Sequence, residues 1–384
     1  MAARKMRLQF GLLRKEPVLY MKCPSGQEKD VLLSKVLADV SRAFYLSMRV
    51  LPSAVRAPIS VAYMLARAAD TIADNPCVSP QHRLEDLKTW AGIVEGRQEP
   101  EKYEAFWLYL KKCAAADSSR RGITEGEARL FVLLPQVYRL YLELDEYALR
   151  QVSLVVKTLI SGMVLDLEYF PGAFRSNADL EHYTYLVAGC VGEFWSHITA
   201  HYLGAIRDDE LPDMLEWGIE FGQALQYVNI LRDLPKDLQN GRAYIPCGGM
   251  DGFLPGGSSD AARLASLKCE LRPWIDKAVE HFEAALRYIQ RLPKKEIMLR
   301  LAVIWPAAIG MGTIVKMVCS PDWPVFDRRV KISRLSVYSI IVWSLAAVWS
   351  NRLLGLCFSL TKSYINSSLD SFDSEAAPAV PALA

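Results

Sequence analysis

Segment after segment of this 384-residue chain reads as helix, which predicts an all-α protein. Three observations carry that expectation. Apolar residues recur at helical spacing through long stretches, as at Val31, Leu32, Val36, Leu37 and Val40. Clusters of Pro, Gly and Ser separate those stretches. Two stripes of polar side chains fall at helical spacing inside otherwise apolar runs.

The first stripe is Tyr63, Arg67, Asp70 and Asp74, at i, i+4, i+7 and i+11. The second is Gln226, Asn229, Asp233 and Asp237, at i, i+3, i+7 and i+11. Such spacing stacks each set on one helical face. Leu225, Val228, Ile230, Leu231 and Leu234 flank the second stripe, so its carboxylates are costly to bury unless paired or metal-bound. Amide and carboxylate oxygens suit hard divalent cations such as Mg²⁺, which often share their coordination with substrate phosphates. Arg67 and Arg232 stand beside the aspartates and can neutralise phosphate. One D-x-x-x-D alone describes an ordinary solvated helix face. Two on apolar helices, each accompanied by Arg, point to a site.

In order, a lead-in covers residues 1–26 and a helix follows over 28–45. A helix beginning between Pro52 and Pro58 carries the first stripe and stops near Asn75-Pro76. Polar helices fill 80–114, a loop 114–122, and helices 125–144 and 146–170. The next helix, 183–201, has small residues at Ala188, Gly189 and Gly192. They leave room either for a close neighbour or for an apolar ligand. The second stripe's helix ends at Gly241-Arg242, a Gly-rich loop spans 247–259, and a helix spans 261–291. An apolar helix over 294–317 is expected to kink at Pro306. The apolar stretch 335–360 is interrupted by Asn351 and Arg352, so a core helix with one sticky face is favoured over a membrane span. Residues 27–364 form the expected domain, and 365–384 the expected disordered tail.

Composition narrows the function. Hydrophobic residues make up 51% and charged residues 23%, enough for a sizeable core. A net charge of +2 gives no reason to expect nucleic acid. Eight cysteines lack any C-x-x-C pair, which excludes the usual zinc and redox motifs and fits reduced thiols in a cytoplasmic protein. The apolar run 8–13 is too short for a secretory signal.

D-T-I-A-D (70–74), N-I-L-R-D-L-P-K-D-L-Q-N-G-R-A-Y-I-P (229–246) and Y-T-Y-L-V-A-G-C-V-G (183–192) resemble the squalene/phytoene synthase family. The resemblance covers residues 41–334. It implies a single-domain, isoprenoid-synthase-type helical bundle around a central apolar cavity. It also implies Mg²⁺-dependent head-to-head condensation of two isoprenoid diphosphates, peripheral membrane contact being compatible with such substrates. On this likeness Asp70, Asp74, Gln226, Asn229, Asp233 and Asp237 hold Mg²⁺. Arg42, in a matching S-R-x-F, joins Arg67 and Arg232 on the diphosphates. Tyr183 and Tyr63 face the reacting carbons. Gly162, Met163 and Asp166 match a segment lining the cavity, although an exposed helical acid explains Asp166 equally well. Lys331 matches a position in a basic loop that binds NADPH in reducing members, and Arg334 is adjacent to a second such position. No G-x-G-x-x-G offers a Rossmann alternative.

The chain departs from the pattern at Ala73 and Lys236, where acids are common, at Ser333, where Arg is expected, and at Pro235, which predicts a kink or restart near Asp233. Squalene from farnesyl diphosphate is the leading expectation. Presqualene diphosphate, dehydrosqualene or phytoene is the alternative. A terpene cyclase lacks its D-D-x-x-D here, and a non-catalytic assembly protein has no need of four retained aspartates.

Overall fold

The computed structural model describes residues 37–41, 44–98, 100–117, 122–246, 261–320, 323–324 and 330–376. The lead-in, most of helix 28–45, Arg42, the loop 247–259 and Arg328-Arg329 lie outside the described residues. The expected domain divides into two compact units, each made of two stretches of chain. One draws on Met1–Glu168 and Phe194–Asp208, the other on Tyr169–Glu193 and Asp209–Ala384.

The first unit holds α1 (Leu37–Ser41), α2 (Phe44–Arg49), α3 (Ser53–Asp74), α4 (Pro80–Val94), α5 (Pro100–Asp117), α6 (Glu125–Leu142) and most of α7 (Glu146–Tyr169). Helix α3 buries Val55, Ile59, Ala62, Leu65, Ala69 and Ile72, and ends where Asn75 turns extended before Pro76. Ser79 caps α4, with Pro80 in its first turn. A reciprocal capping box of Thr124 and Glu127 starts α6. Fully buried Trp90 packs against Phe106, Trp107 and Tyr138, and its indole N–H donates to Leu65 O at 3.2 Å. The aspartate helix is thereby pinned to the unit's aromatic core.

The second unit begins with β1 (Gly172–Ala173) and α8 (Asn177–Thr184), followed by a wide π turn (Tyr185–Gly189) and the start of α9 (Cys190–Leu203). Then come α10 (Leu211–Gln239), β2 (Arg242–Ala243), α11 (Ala261–Arg291), α12 (Ile297–Val318), α13 (Arg334–Ala347) and α14 (Asn351–Ala376). The two short strands pair in parallel, Gly172 opposite Arg242. Helix α10 lies along α11, and α12 and α14 pack against α11 as well.

Fully buried Arg300 of α12 donates to Ile289 O at 2.6 Å, Leu292 O at 2.7 Å, Val348 O at 2.9 Å and Asn351 Oδ1 at 2.7 Å. These bonds satisfy carbonyls at the end of α11 and at the break between α13 and α14. That break is why the apolar stretch 335–360 forms two helices. Helices α7 and α12 are long and apolar enough to cross a membrane by length and composition, but 61% of the most apolar window of α12 is buried inside the protein. Its helix continues through Pro306, as α10 continues through Pro235; the expected restart near Asp233 does not occur.

Over 365–376 the tail expectation is corrected, while 377–384 lie outside the described residues. Helix α14 runs to Ala376, past the expected start of disorder at 365. Ile365 and Leu369, one turn apart, are fully buried, and Asp370 pairs with Arg272 at 2.9 Å. The Ser- and Asn-rich letters between them occupy the outer face. Leu369→Ala is therefore expected to cost about 2–5 kcal/mol in urea unfolding, the range for a buried leucine.

Candidate active site

In the second unit, α10 presents its stripe to a polar cavity of about 120 Å³. Gln226, Asn229, Ile230, Asp233, Lys236 and Asp237 line it from this helix, Tyr183 from α8, and Tyr244 from just after β2. Asn229 Nδ2 donates to Gln226 Oε1 at 3.4 Å, and Arg232 grips Asp233 with two bonds of 3.1 and 2.6 Å. The bidentate pair fixes the carboxylate's orientation.

Aromatic rings form the apolar wall. Tyr183 and Tyr244 stack with centroids 5.2 Å apart and 22° between their planes. Phe174 packs against both, and Phe170 against Tyr244. The β1–β2 pairing sets this arrangement, because Phe174 N donates to Ala243 O at 3.0 Å. Gly241 makes the turn into β2 at a φ of 73°, a conformation that favours glycine.

Helix α10 is seated by close backbone contact. A Cβ on Gly192 would lie 1.8 Å from Gly218 O, and one on Gly222 would lie 2.3 Å from Ala188 O. Gly192, and Ala188 through its carbonyl, therefore sit at a close helix contact, as the packing reading expects. The π turn at Tyr185–Gly189 adjoins this contact. Gln223 Nε2 bridges it to α8, donating to Glu181 O and Thr184 Oγ1, each at 3.2 Å.

In the first unit, Arg67 forms ion pairs with Asp70 and with Glu127. Glu127 also accepts from Thr124 N at 2.7 Å, so the cap of α6 orients the arginine of α3. Burial, and next the Asp74 charge, push the Asp70 carboxyl up to about 6 against the opposing pull of Arg67. Burial alone would raise Glu127, but bonds from Thr124 and the Arg67 charge hold it below its ordinary value. Tyr63 OH donates to Val40 O at 3.1 Å.

The donor set fits a hard divalent cation. Adjacent carboxylates that raise one another's proton affinity are relieved by a cation between them. Among the described residues, no three His, Cys, Asp or Glu side chains gather into a metal cluster by themselves. An ion on α10 would thus draw on the amide oxygens of Gln226 and Asn229 and on substrate phosphate besides the carboxylates.

Apart from Arg42, which lies outside the described residues, each expected site residue has a definite place. Tyr183, Gln226, Asn229, Asp233 and Asp237 share one cavity, with Arg232 beside it. Tyr63, Arg67, Asp70 and Asp74 share α3 in the other unit. Asp166 lies near the end of α7, half-buried, with Gly162 buried a turn earlier and Met163 half-buried. Exposed Lys331 precedes α13 and exposed Arg334 opens it. Tyr244 and Glu127 were not singled out from the sequence. An aromatic shortly after the helix end was the available signal for Tyr244; the pairing of Glu127 with Arg67 is non-local and left none.

A profile of the squalene/phytoene synthase family matches residues 37–336. The chain belongs to the squalene/phytoene synthase family. This is a family of prenyltransferase-type enzymes. The chain is 25% identical over 338 residues to the 15-cis-phytoene synthase of Synechocystis sp., covering 85% of this chain and 88% of that protein. It is 25% identical over 326 residues to the squalene synthase of Schizosaccharomyces pombe, covering 81% of this chain and 64% of that one. In fold it matches the structure of TcSQS in complex with E5700, with a TM-score of 0.64 at 20% identity over 89% of this chain and 98% of the other. The expected isoprenoid-synthase-type helical fold is thereby established.

Proposed function

We propose that this family member condenses two farnesyl diphosphates head to head through presqualene diphosphate and reduces the product with NADPH to squalene. The observation that carries the condensation is the α10 cavity, where four oxygen-bearing side chains meet a stacked tyrosine pair. When bound, Mg²⁺ supplies the charge that draws diphosphate off as a leaving group. By resemblance, Asp70 and Asp74 on α3 would bind Mg²⁺, and so would Gln226, Asn229, Asp233 and Asp237 on α10. Arg67, Arg232 and Lys236 complement the phosphates, with Arg42 in the same role by resemblance. Lys236 stands where the family often has an acid, and it lines the cavity. Its ammonium offsets diphosphate charge. The faces of Tyr183 and Tyr244 stabilise the allylic cation and shield it from water.

Reduction rests on Lys331 and Arg334 as donors to the nucleotide's 2′-phosphate. A specific observation favours the non-reducing reading as second. Ser333, at the position where Arg is expected, accepts from Ser336 N at 3.0 Å and caps α13. The cation expected at 333 is thus replaced by a structural cap.

One assay separates the two. Purified protein with Mg²⁺ and C15 or C20 diphosphate, with and without NADPH, is followed by mass spectrometry. Squalene with NADPH, and a cyclopropyl diphosphate or unreduced hydrocarbon without it, is the expected result. Lys331→Ala should cut squalene formation about tenfold, the worth of one charge-assisted contact, while leaving farnesyl diphosphate consumption near wild type. A product distribution indifferent to NADPH would leave the non-reducing reading. No consumption of either diphosphate would overturn the condensation.

A further inference from the structure

We propose that the outer face of α13 and α14 is a docking surface for an anionic lipid bilayer. On α13, Leu335, Tyr338, Val342, Leu345 and the following Trp349 recur at i, i+3, i+7, i+10 and i+14, a single stripe. On α14, Leu356, Leu360 and Tyr364 recur at i, i+4 and i+8. Every one of these side chains is more than half exposed. A soluble surface scatters its large apolar residues singly; stripes on neighbouring helices mark a contact surface.

The inner sides of the same helices are also apolar. Ile340 and Trp343 of α13, with Leu354 and Phe358 of α14, line a cavity of about 340 Å³ against α11 and α12. That cavity shares no lining residue with the polar cavity of α10. A helix apolar on both sides is built to be covered on both sides. The protein covers one.

Charge identifies what covers the other. From Arg328 to Leu369 the sequence contains no Asp or Glu and six Lys or Arg. Lys362 is engaged with Glu283, but Lys331, Arg334 and Arg352 are exposed, at the start of α13 and the start of α14. An apolar face rimmed by cations suits acyl chains beneath anionic headgroups. A second copy of this chain suits it poorly, because a two-fold contact would set the cationic rims against each other. Spanning is not required: α13 has 14 residues, too few to cross a bilayer, and Arg352 opens the next helix.

Lys331 and Arg334 are shared with the reductase reading, so the test needs no activity and turns on Val342 and Arg352, which that reading does not use. The full chain is floated with vesicles of phosphatidylcholine, with and without phosphatidylglycerol. Flotation is expected with the anionic vesicles and is expected to weaken with added salt. Val342→Glu should lower the bound fraction about tenfold while leaving helicity unchanged, since the side chain is exposed. Arg352→Glu should weaken binding to anionic vesicles only. Failure of the wild type to float overturns the proposal, as does full binding by Val342→Glu. So does a lipid-free dimer that Val342→Glu splits, because the face would then be a protein interface.

Discussion

Asp233→Asn is expected to reduce condensation on the order of 10³-fold with the helical fold intact. Asp233 is held in the α10 cavity by two bonds from Arg232 and stands one turn from both Asn229 and Asp237. The substitution keeps the shape and removes the charge that the proposed cation on this helix would need. Neutralising a partly buried aspartate ordinarily relieves the protein of a partly desolvated charge. Here it also strips Arg232, about 27% exposed, of its partner. The two changes oppose one another, so a stability gain is not expected. Turnover measured against Mg²⁺ concentration, alongside circular dichroism, checks the prediction. Wild-type turnover at saturating Mg²⁺ would remove Asp233 from the site. Asp237→Asn in the same assay shows whether the stripe acts as a unit, since paired losses would then fall well short of additive.

The stripe on α10 was legible because a helix converts spacing into a shared face without any tertiary information. Gln226, Asn229, Asp233 and Asp237 line one cavity as their register requires. Contacts that depend on two distant segments were not legible. Glu127 meets Arg67 only because the cap of α6 falls beside α3. Tyr244 reaches Tyr183 because two short strands distant in sequence, Gly172–Ala173 and Arg242–Ala243, pair. Pro235 suggested a break, yet α10 absorbs it, since one missing N–H is tolerable where neighbouring helices hold the rest. At 363–368 the polar letters outweighed Ile365 and Leu369, although two leucine-sized residues four apart suffice to dock a helix edge.

Gly192→Val is expected to lower stability by at least about 3 kcal/mol and to take the condensation with it. The sequence left open whether Ala188, Gly189 and Gly192 made room for a neighbour or for a ligand; at Gly192 the structure places a neighbour. A Cβ at 192 would lie 1.8 Å from Gly218 O and 2.4 Å from its carbonyl carbon, far inside contact distance. The obstructing atoms are backbone in the interior of α10, so no side chain can swing away. The reciprocal approach at Gly222 and Ala188 doubles the constraint. Relief requires α10 to move from the π turn, which also carries away the hydrogen bonds of Gln223 to Glu181 and Thr184. Gln226, Asn229 and Asp233 follow on the same rigid helix, and the tyrosine wall at 183 loses its register with them. Gly312 of α12 supplies the control. A Cβ there meets only Ile332 Cγ2 at 3.8 Å, an ordinary contact. Gly312→Ala should therefore stabilise by about 0.5–1 kcal/mol, the gain from replacing an interior helical glycine. Urea unfolding of both variants, with turnover measured below the transition, tests the contrast. A Gly192→Val protein as stable as the parent would show that α9 and α10 do not meet through their glycines.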